Sequence, residues 1–334
     1  MKTLIAVMTI SVLRKGALMC TSVRFTNSSG NLYFGRNLDW EFGYGEKPLI
    51  TPSGWTYSWK HVNCPDEKRP VIGMGIVIDD TPLYFDCMNS EGLAIAGLFF
   101  SGFAQYETAP VFGKLNLNSY EFLLWVTRNF SSVEQLKPAL SDVAIIGEEI
   151  GGFDPSPLHW IISDSNQCIV VEYMADGIHV HDNPVDVLAN QPTFDWQLEN
   201  LRSYYMVSPE VPPAQMWGKK NLEAYGSGGG MRGLPGDYYS TSRFVRAAYL
   251  NARYPVQKDE WSNVVRLFRT LEGVSMIEGA SIMKTGNFEK TVYTSGYSSE
   301  TQSVFHSTYE NPSINSWSLK DYDANGTSLL LLDD

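Results

Sequence analysis

Residues 20–40 constrain the fold of this chain more tightly than any other stretch. Leu32, Tyr33, Phe34, Gly35 and Arg36 alternate in the manner of a strand, and the polar run Asn27-Ser28-Ser29-Gly30-Asn31 separates them from a second strand-like run, Thr21 to Thr26. The two runs predict a hairpin that returns Arg36 to the side of Cys20. A permanently charged guanidinium placed there would favour the thiolate. Asp39 is expected just past the strand end, where its carboxylate could hold an amine in register. Taken singly, these residues have plainer readings: most free cysteines are small buried apolar residues, and an isolated Arg-x-x-Asp is a surface ion pair worth little.

If residues 1–19 are removed, or were never translated, Cys20 becomes the N-terminus and carries a thiol and a free α-amine on one residue. The thiolate can attack a carbonyl while an amine of ordinary pKa near about 8 takes and returns a proton. No histidine is then required, and His61, His159, His179, His181 and His306 show no spacing from Cys20 typical of a local Cys-His protease signature.

Several segments carry a family resemblance. Met19-Cys20-Thr21-Ser22 and Leu32 to Trp40 come first, then Met88 to Ala94, Asn183-Pro184 with Leu188 to Trp196, Leu234 to Phe244, and Lys290 to Thr294. In that order, and across nearly the whole chain, they resemble the choloylglycine hydrolase family, which contains bile salt hydrolases and penicillin V acylases. The resemblance implies a four-layer αββα N-terminal nucleophile hydrolase fold of the α+β class, with two stacked antiparallel sheets between helical layers and Cys20 at the end of a central strand. It also implies Cys20 as nucleophile, Arg36 beside it, Asp39 orienting the amine, Asn190 as side-chain oxyanion donor and Arg243 as a second active-site arginine. On their own residues, Asn190 could simply begin a proline turn, and Arg243 could be an exposed arginine heading a helix over 243–253 with Ser240 or Thr241 as its cap.

One position departs from the family pattern. The chain reads Gly97-Leu98-Phe99-Phe100 where bile salt hydrolases of the Gram-positive type usually have asparagine, and penicillin V acylases tyrosine, at position 99. The family uses that residue's backbone N–H in the oxyanion hole, which any residue but proline can supply, so catalysis is expected to survive, while Phe99 matches neither subgroup's side chain, makes an expected pocket wall more apolar and leaves the choice of substrate open. Leu38 and Trp40 are candidates for substrate contact. The aromatic series Trp40, Phe42, Tyr44, Trp55, Tyr57 and Trp59 reads equally as a pocket wall or as core.

The expected reaction is hydrolysis of a linear amide, foremost a glycine- or taurine-conjugated bile salt, with penicillin V or another N-acyl amide as the alternative. A non-catalytic amphiphile-binding protein of the same fold is more remote. A net charge of −12 and a pI near 4.9 argue against nucleic acid or an anionic membrane as partner. Cysteines 20, 64, 87 and 168 have neither disulfide-framework nor zinc spacing, and His179-x-His181 lacks further ligands, so no metal and no cofactor are expected. The Gly226 to Gly230 run lacks the Gly-Lys-Ser/Thr ending of a phosphate loop and reads as a plain loop.

Residues 20–334 are expected to form one domain, and residues 1–19 a leader, a propeptide or a misassigned start. Met1-Lys2 and the apolar run to Leu13 resemble a secretory signal, but Arg14-Lys15-Gly16 interrupts it and no small-x-small cleavage site precedes Cys20. Translation from Met19 in the cytoplasm, followed by methionine removal, is the simplest account, with export or self-cleavage competing. The resemblance implies a homo-oligomer, since the family often forms tetramers.

Overall fold

The computed structural model describes residues 19–62 and 67–333; the expected leader, apart from Met19, and Cys64 lie outside the described residues. In chain order the strands are β1 (Met19–Thr26), β2 (Leu32–Trp40), β3 (Lys47–Thr51), β4 (Val71–Ile78), β5 (Thr81–Asn89), β6 (Ala94–Phe99), β7 (Leu115–Asn118), β8 (Val143–Ile146), β9 (Leu158–Ser163), β10 (Cys168–Met174), β11 (Gly177–Asp182), β12 (Val187–Leu188), β13 (Gln215–Trp217), β14 (Lys220–Leu222), β15 (Lys290–Ser298), β16 (Ser303–Thr308), β17 (Asn315–Ser318) and β18 (Leu330–Leu331). The helices are α1 (Phe122–Asn129), α2 (Val133–Leu140), α3 (Phe194–Leu201), α4 (Ser240–Arg253) and α5 (Glu260–Glu272).

The strands form a six-stranded sheet, in the order β12-β1-β2-β15-β16-β17, and an eight-stranded sheet, in the order β11-β10-β9-β6-β5-β4-β3-β18. Every pairing within these two sheets is antiparallel. Helices α4 and α5 lie on β1 and β2 of the first sheet, and α1 lies on β5 and β6 of the second. One apolar cluster joins the facing sheets to the α4 and α5 side, through residues such as Phe34, Met74, Ala96, Phe244 and Leu267. A second lies between the eight-stranded sheet and α1 and α2, around Trp125, Trp160 and Ile162. These are the expected four layers of an N-terminal nucleophile hydrolase.

The predicted hairpin forms from local chemistry. Asn27 accepts the N–H groups of Ser29 and Asn31 on its side-chain oxygen, and Gly30 takes the left-handed conformation at φ +82° that closes the turn. All nine residues of β2 are buried, because helices cover one face and the second sheet the other. The strand nevertheless carries Arg36, Asn37 and Asp39, which is stable only where each polar group finds a partner. Two sequence expectations change. Asp39 sits inside β2, because the strand continues to Trp40 rather than stopping before it. Helix α4 begins at Ser240, a turn before Arg243, and its N-cap residue Tyr239 makes no side-chain cap bond.

The glycine run 226–230 lies in an exposed loop with a short 3₁₀ turn at Gly229–Met231. Among the described residues no helix is long and apolar enough to cross a membrane.

Close approach of layers makes one prediction sharp. A Cβ at Gly35 would lie 2.6 Å from the Ser295 carbonyl oxygen on β15 and 3.1 Å from the Leu267 and Leu271 side chains of α5. Gly35→Ala is therefore expected to cost about 1–3 kcal/mol. Denaturant midpoints would show it, and an unchanged midpoint would contradict the packing described.

Candidate active site

Strand register assembles the site. Cys20 lies opposite Leu38 and Ser22 opposite Arg36, and residues two apart on a strand share a face, so Cys20, Arg36 and Leu38 all point between the sheets. Arg36 Nη2 donates to Cys20 Sγ at 2.6 Å, with both residues about 1% exposed. Arg36 Nη1 donates to the carbonyls of Phe85 and Gly97, each at 3.1 Å, and lies 3.6 Å from the Asp86 carboxylate. Asp86 in turn accepts from Tyr293 and Ser295 at 2.6 Å and from Tyr297 at 2.5 Å.

This fully buried carboxylate escaped the sequence reading. The available signal was a lone acidic residue inside the apolar run Leu83-Tyr84-Phe85-Asp86-Cys87-Met88, a placement a chain keeps only with partners.

Burial pushes the Cys20 thiol above its ordinary pKa, and Asp39 adds to this, while Arg36, the Asp39 backbone N–H and Arg243 pull the other way. Burial is the largest of these influences, and Arg36 is the strongest of those that favour the thiolate.

Asp39 faces the opposite side of β2. It accepts from Thr291 Oγ1 at 2.6 Å and lies 3.7 Å from Arg243 Nη1, while its Oδ2 has no hydrogen-bond partner among the described residues. Burial raises its carboxyl to about 6 against the pull of Arg243, Thr291 and Arg36.

Asn190 follows the end of β12, on the other side of β1. Its Oδ1 accepts the Cys20 N–H at 2.6 Å and Arg243 Nη2 at 2.8 Å, and its Nδ2 donates to the Phe99 carbonyl at 2.8 Å. The Phe99 N–H faces this same side, because Phe100 bonds the Pro157 carbonyl at 2.7 Å and successive residues of a strand direct their peptide groups to opposite edges. Arg243 donates to the Cys20 carbonyl at 2.6 Å, to Thr21 Oγ1 and, through Nε, to the Tyr238 carbonyl at 2.9 Å. Its contacts hold the backbone around the cysteine rather than the sulfur.

All six sequence-predicted polar groups thus meet within one neighbourhood. Behind the Cys20 position the structure holds a nitrogen clamped by Asn190, a carbonyl clamped by Arg243 and a sulfur clamped by Arg36. With a free α-amine at that nitrogen, the arrangement supplies a nucleophile, a proton carrier and fixed donors, which is the set acyl transfer needs.

A cavity of about 820 Å³ opens on Cys20 and is lined by Leu38, Trp40, Tyr44, Phe85 and Phe99, among others. The aromatic series splits. Trp40, Phe42, Tyr44 and Phe85 form a chain of edge-to-face contacts, of which Trp40, Tyr44 and Phe85 line the cavity, whereas Trp55 stacks on Tyr57, Trp59 meets Tyr57 edge-on, and all three belong with the core under α1. His179 sits on Asp176, and His181 lies between Glu172 and Asp195. Although burial opposes it, His159 and His181 hold the Glu172 carboxyl down at about 2.

The chain is similar to known proteins in sequence and fold. A profile of linear amide C–N hydrolases, the choloylglycine hydrolase family, matches residues 20–331. The chain is 51% identical over 314 residues to a bile salt hydrolase/transferase of Bifidobacterium longum subsp. longum, covering 93% of this chain and 99% of that protein. It is 45% identical over 314 residues to a conjugated bile acid hydrolase of Lactobacillus acidophilus, with the same coverage of 93% and 99%. A crystal structure of conjugated bile acid hydrolase from Clostridium perfringens superposes with a TM-score of 0.86 at 33% identity, over 94% of this chain and 97% of that one. Penicillin V acylase from Agrobacterium tumefaciens, at 19% identity and a TM-score of 0.73 over 93% of this chain and 90% of that one, shares the fold.

The sulfur's environment predicts a pH shift. Arg36→Gln removes the cation at 2.6 Å from Cys20 Sγ and is expected to move the midpoint of Cys20 alkylation by iodoacetamide upward by about 1–3 pH units. A midpoint that stays in place would show that the guanidinium does not tune the thiol.

Proposed function

The chain belongs to the choloylglycine hydrolase family of linear amide C–N hydrolases, and from that premise we propose that it deconjugates glycine- and taurine-linked bile salts with Cys20 as N-terminal nucleophile. The observation that carries the mechanism is the pair of contacts on one residue, Arg36 on the Cys20 sulfur and Asn190 on the Cys20 nitrogen. The choice of substrate is supported by relatives named for bile salts at 51% and 45% identity over nearly their whole length. The apolar and aromatic lining of the cavity suits a steroid-sized acyl group.

In this account the working chain begins at Cys20, and residues 20–334 act as one hydrolase domain. The α-amine takes the thiol proton, and the sulfur attacks the amide carbon. The carbonyl oxygen gains charge as the tetrahedral centre forms. It meets the Phe99 N–H and Asn190 Nδ2, the latter turned from the Phe99 carbonyl that it bonds in the resting site. The ammonium then gives its proton to the departing glycine or taurine nitrogen, leaving the acyl group as a thioester on Cys20. Water, deprotonated by the same amine, attacks the thioester, and the kinetics are ping-pong. Asp39 orients the amine, Arg243 fixes the Cys20 carbonyl, and Leu38, Trp40 and Phe99 contact the acyl group.

Translation from Met19 with loss of that methionine would leave the enzyme in the cytoplasm with its catalytic amine free. Self-association is supported by the projecting β13–β14 hairpin, where Met216 and Trp217 are 62% and 74% exposed, and we place the contact with a second copy there.

Amine release from glycocholate, taurocholate and penicillin V by a chain beginning at Cys20 tests the reading. Release from the conjugates is expected, while release from penicillin V alone would contradict the substrate assignment. Cys20→Ala should lower turnover by at least about 10³-fold, and Asn190→Ala should lower kcat by about 10²–10³-fold. Substantial turnover by the alanine variant at position 20 would end the nucleophile assignment.

A further inference from the structure

Glu289 immediately precedes β15 and is 2% exposed, yet it lines the cavity that opens on Cys20. The Met19 backbone N–H is turned to its carboxylate, while Glu289 Oε1 has no hydrogen-bond partner among the described residues. A buried carboxyl group with an unused oxygen is costly unless a donor reaches it in some state of the protein. The charged groups around it come from three elements: Asp39 on β2, Glu41 just beyond that strand, and Arg243 on α4. Asp39 in turn acts on the Cys20 thiol, and Arg36 acts on Asp39.

Removal of the segment that ends at Met19 takes away the N–H that Glu289 now faces and creates an α-amine on the adjoining residue. That amine carries more hydrogens than Asn190 Oδ1 can accept, since in the longer chain this oxygen already takes the single Cys20 N–H at 2.6 Å and an Arg243 donor. Among the described residues, the buried acceptors without a partner that line the cavity or flank its strands include Asp39 Oδ2, Gln191 Oε1 and Glu289 Oε1, and of these only the Asp39 and Glu289 oxygens belong to carboxyl groups. We propose that Glu289 is a second carboxyl partner of the Cys20 α-amine, taking it beside Asp39 once the Met19 N–H that it faces in the longer chain is gone. The proposal rests on reading Cys20 as the residue that begins the working chain, and it makes Glu289 a positioning residue for the proton carrier.

The electrostatics run in the same direction. With a neutral amide as its partner, Glu289 is pushed up to about 8 by burial and by the charge of Asp39, with Arg243 opposing. An ammonium in place of the amide favours the carboxylate, and by reciprocity the carboxylate favours the ammonium. Glu289 would thus help the amine keep the proton it takes from the thiol.

The test follows the amine itself in a chain that begins at ¹⁵N-labelled Cys20, titrated by NMR without substrate. Glu289→Gln is expected to lower the amine midpoint by about one pH unit or more, and Glu289→Met, which buries no unpaired polar atom, should do the same. An unchanged midpoint in either folded variant overturns the proposal. Since no turnover is measured, a chain that fails to cleave bile salts but shows the shift would refute the proposed function and leave this assignment standing. A chain that cleaves them without the shift would do the reverse.

Discussion

A guanidinium buried between two sheets against a thiol is the interaction on which the rest of this structure depends. Neither charge is stable there alone: burial disfavours the thiolate, and an unpaired buried cation would cost several kcal/mol. The fold answers with partners drawn from across the chain. Arg36 is met by Cys20 on its own sheet, by the Phe85 and Gly97 carbonyls of the facing sheet, and by Asp86. Asp86 is itself satisfied by three hydroxyls of β15, so a single charged group ties the two sheets together at the point where the chemistry is placed. Breaking one member of such a set leaves the others unpaired, which is why its effect should exceed that of any single bond.

The same layering explains where the cavity lies. Strand β2 is covered on both faces, so polar residues on it must work in pairs: Arg36 toward the facing sheet with Cys20, and Asp39 toward α4 with Thr291 and Arg243. Cys20 sits near the start of β1, and the cavity opens on it. Trp40, Tyr44 and Phe85 wall that space because the chain leaving β2 packs back over β5.

What the sequence made legible follows from how local each feature is. The hairpin that joins Cys20 to Arg36 needs only alternation and an asparagine–glycine turn, and both are visible within twenty residues. Asn190 and Arg243 are separated from Cys20 by 170 and 223 positions, and only the family resemblance reached them. Alternation up to Arg36 ends the expected strand before Asp39, and the Thr291 and Arg243 contacts that let a carboxylate sit inside buried β2 lie far along the chain. Asp86 and Glu289 carry no motif at all. Their meaning comes from hydroxyls on β15 and a backbone N–H on β1, which no window of sequence brings together. The aromatic series could not be divided from sequence, since Trp40 and Tyr44 line the cavity while Trp55, Tyr57 and Trp59 belong to a core of the same composition.

The central claim is that thiol and α-amine on one residue form the catalyst, and the most direct measurement separates the two groups. A chain beginning at Cys20 is compared with one in which a residue that cannot be removed precedes Cys20, following both iodoacetamide labelling of the sulfur and release of glycine from glycocholate. The account predicts that both sulfurs are labelled but that only the chain with the free amine turns over. Comparable turnover by the blocked chain would show that some other group carries the proton, and the account would be wrong at its core.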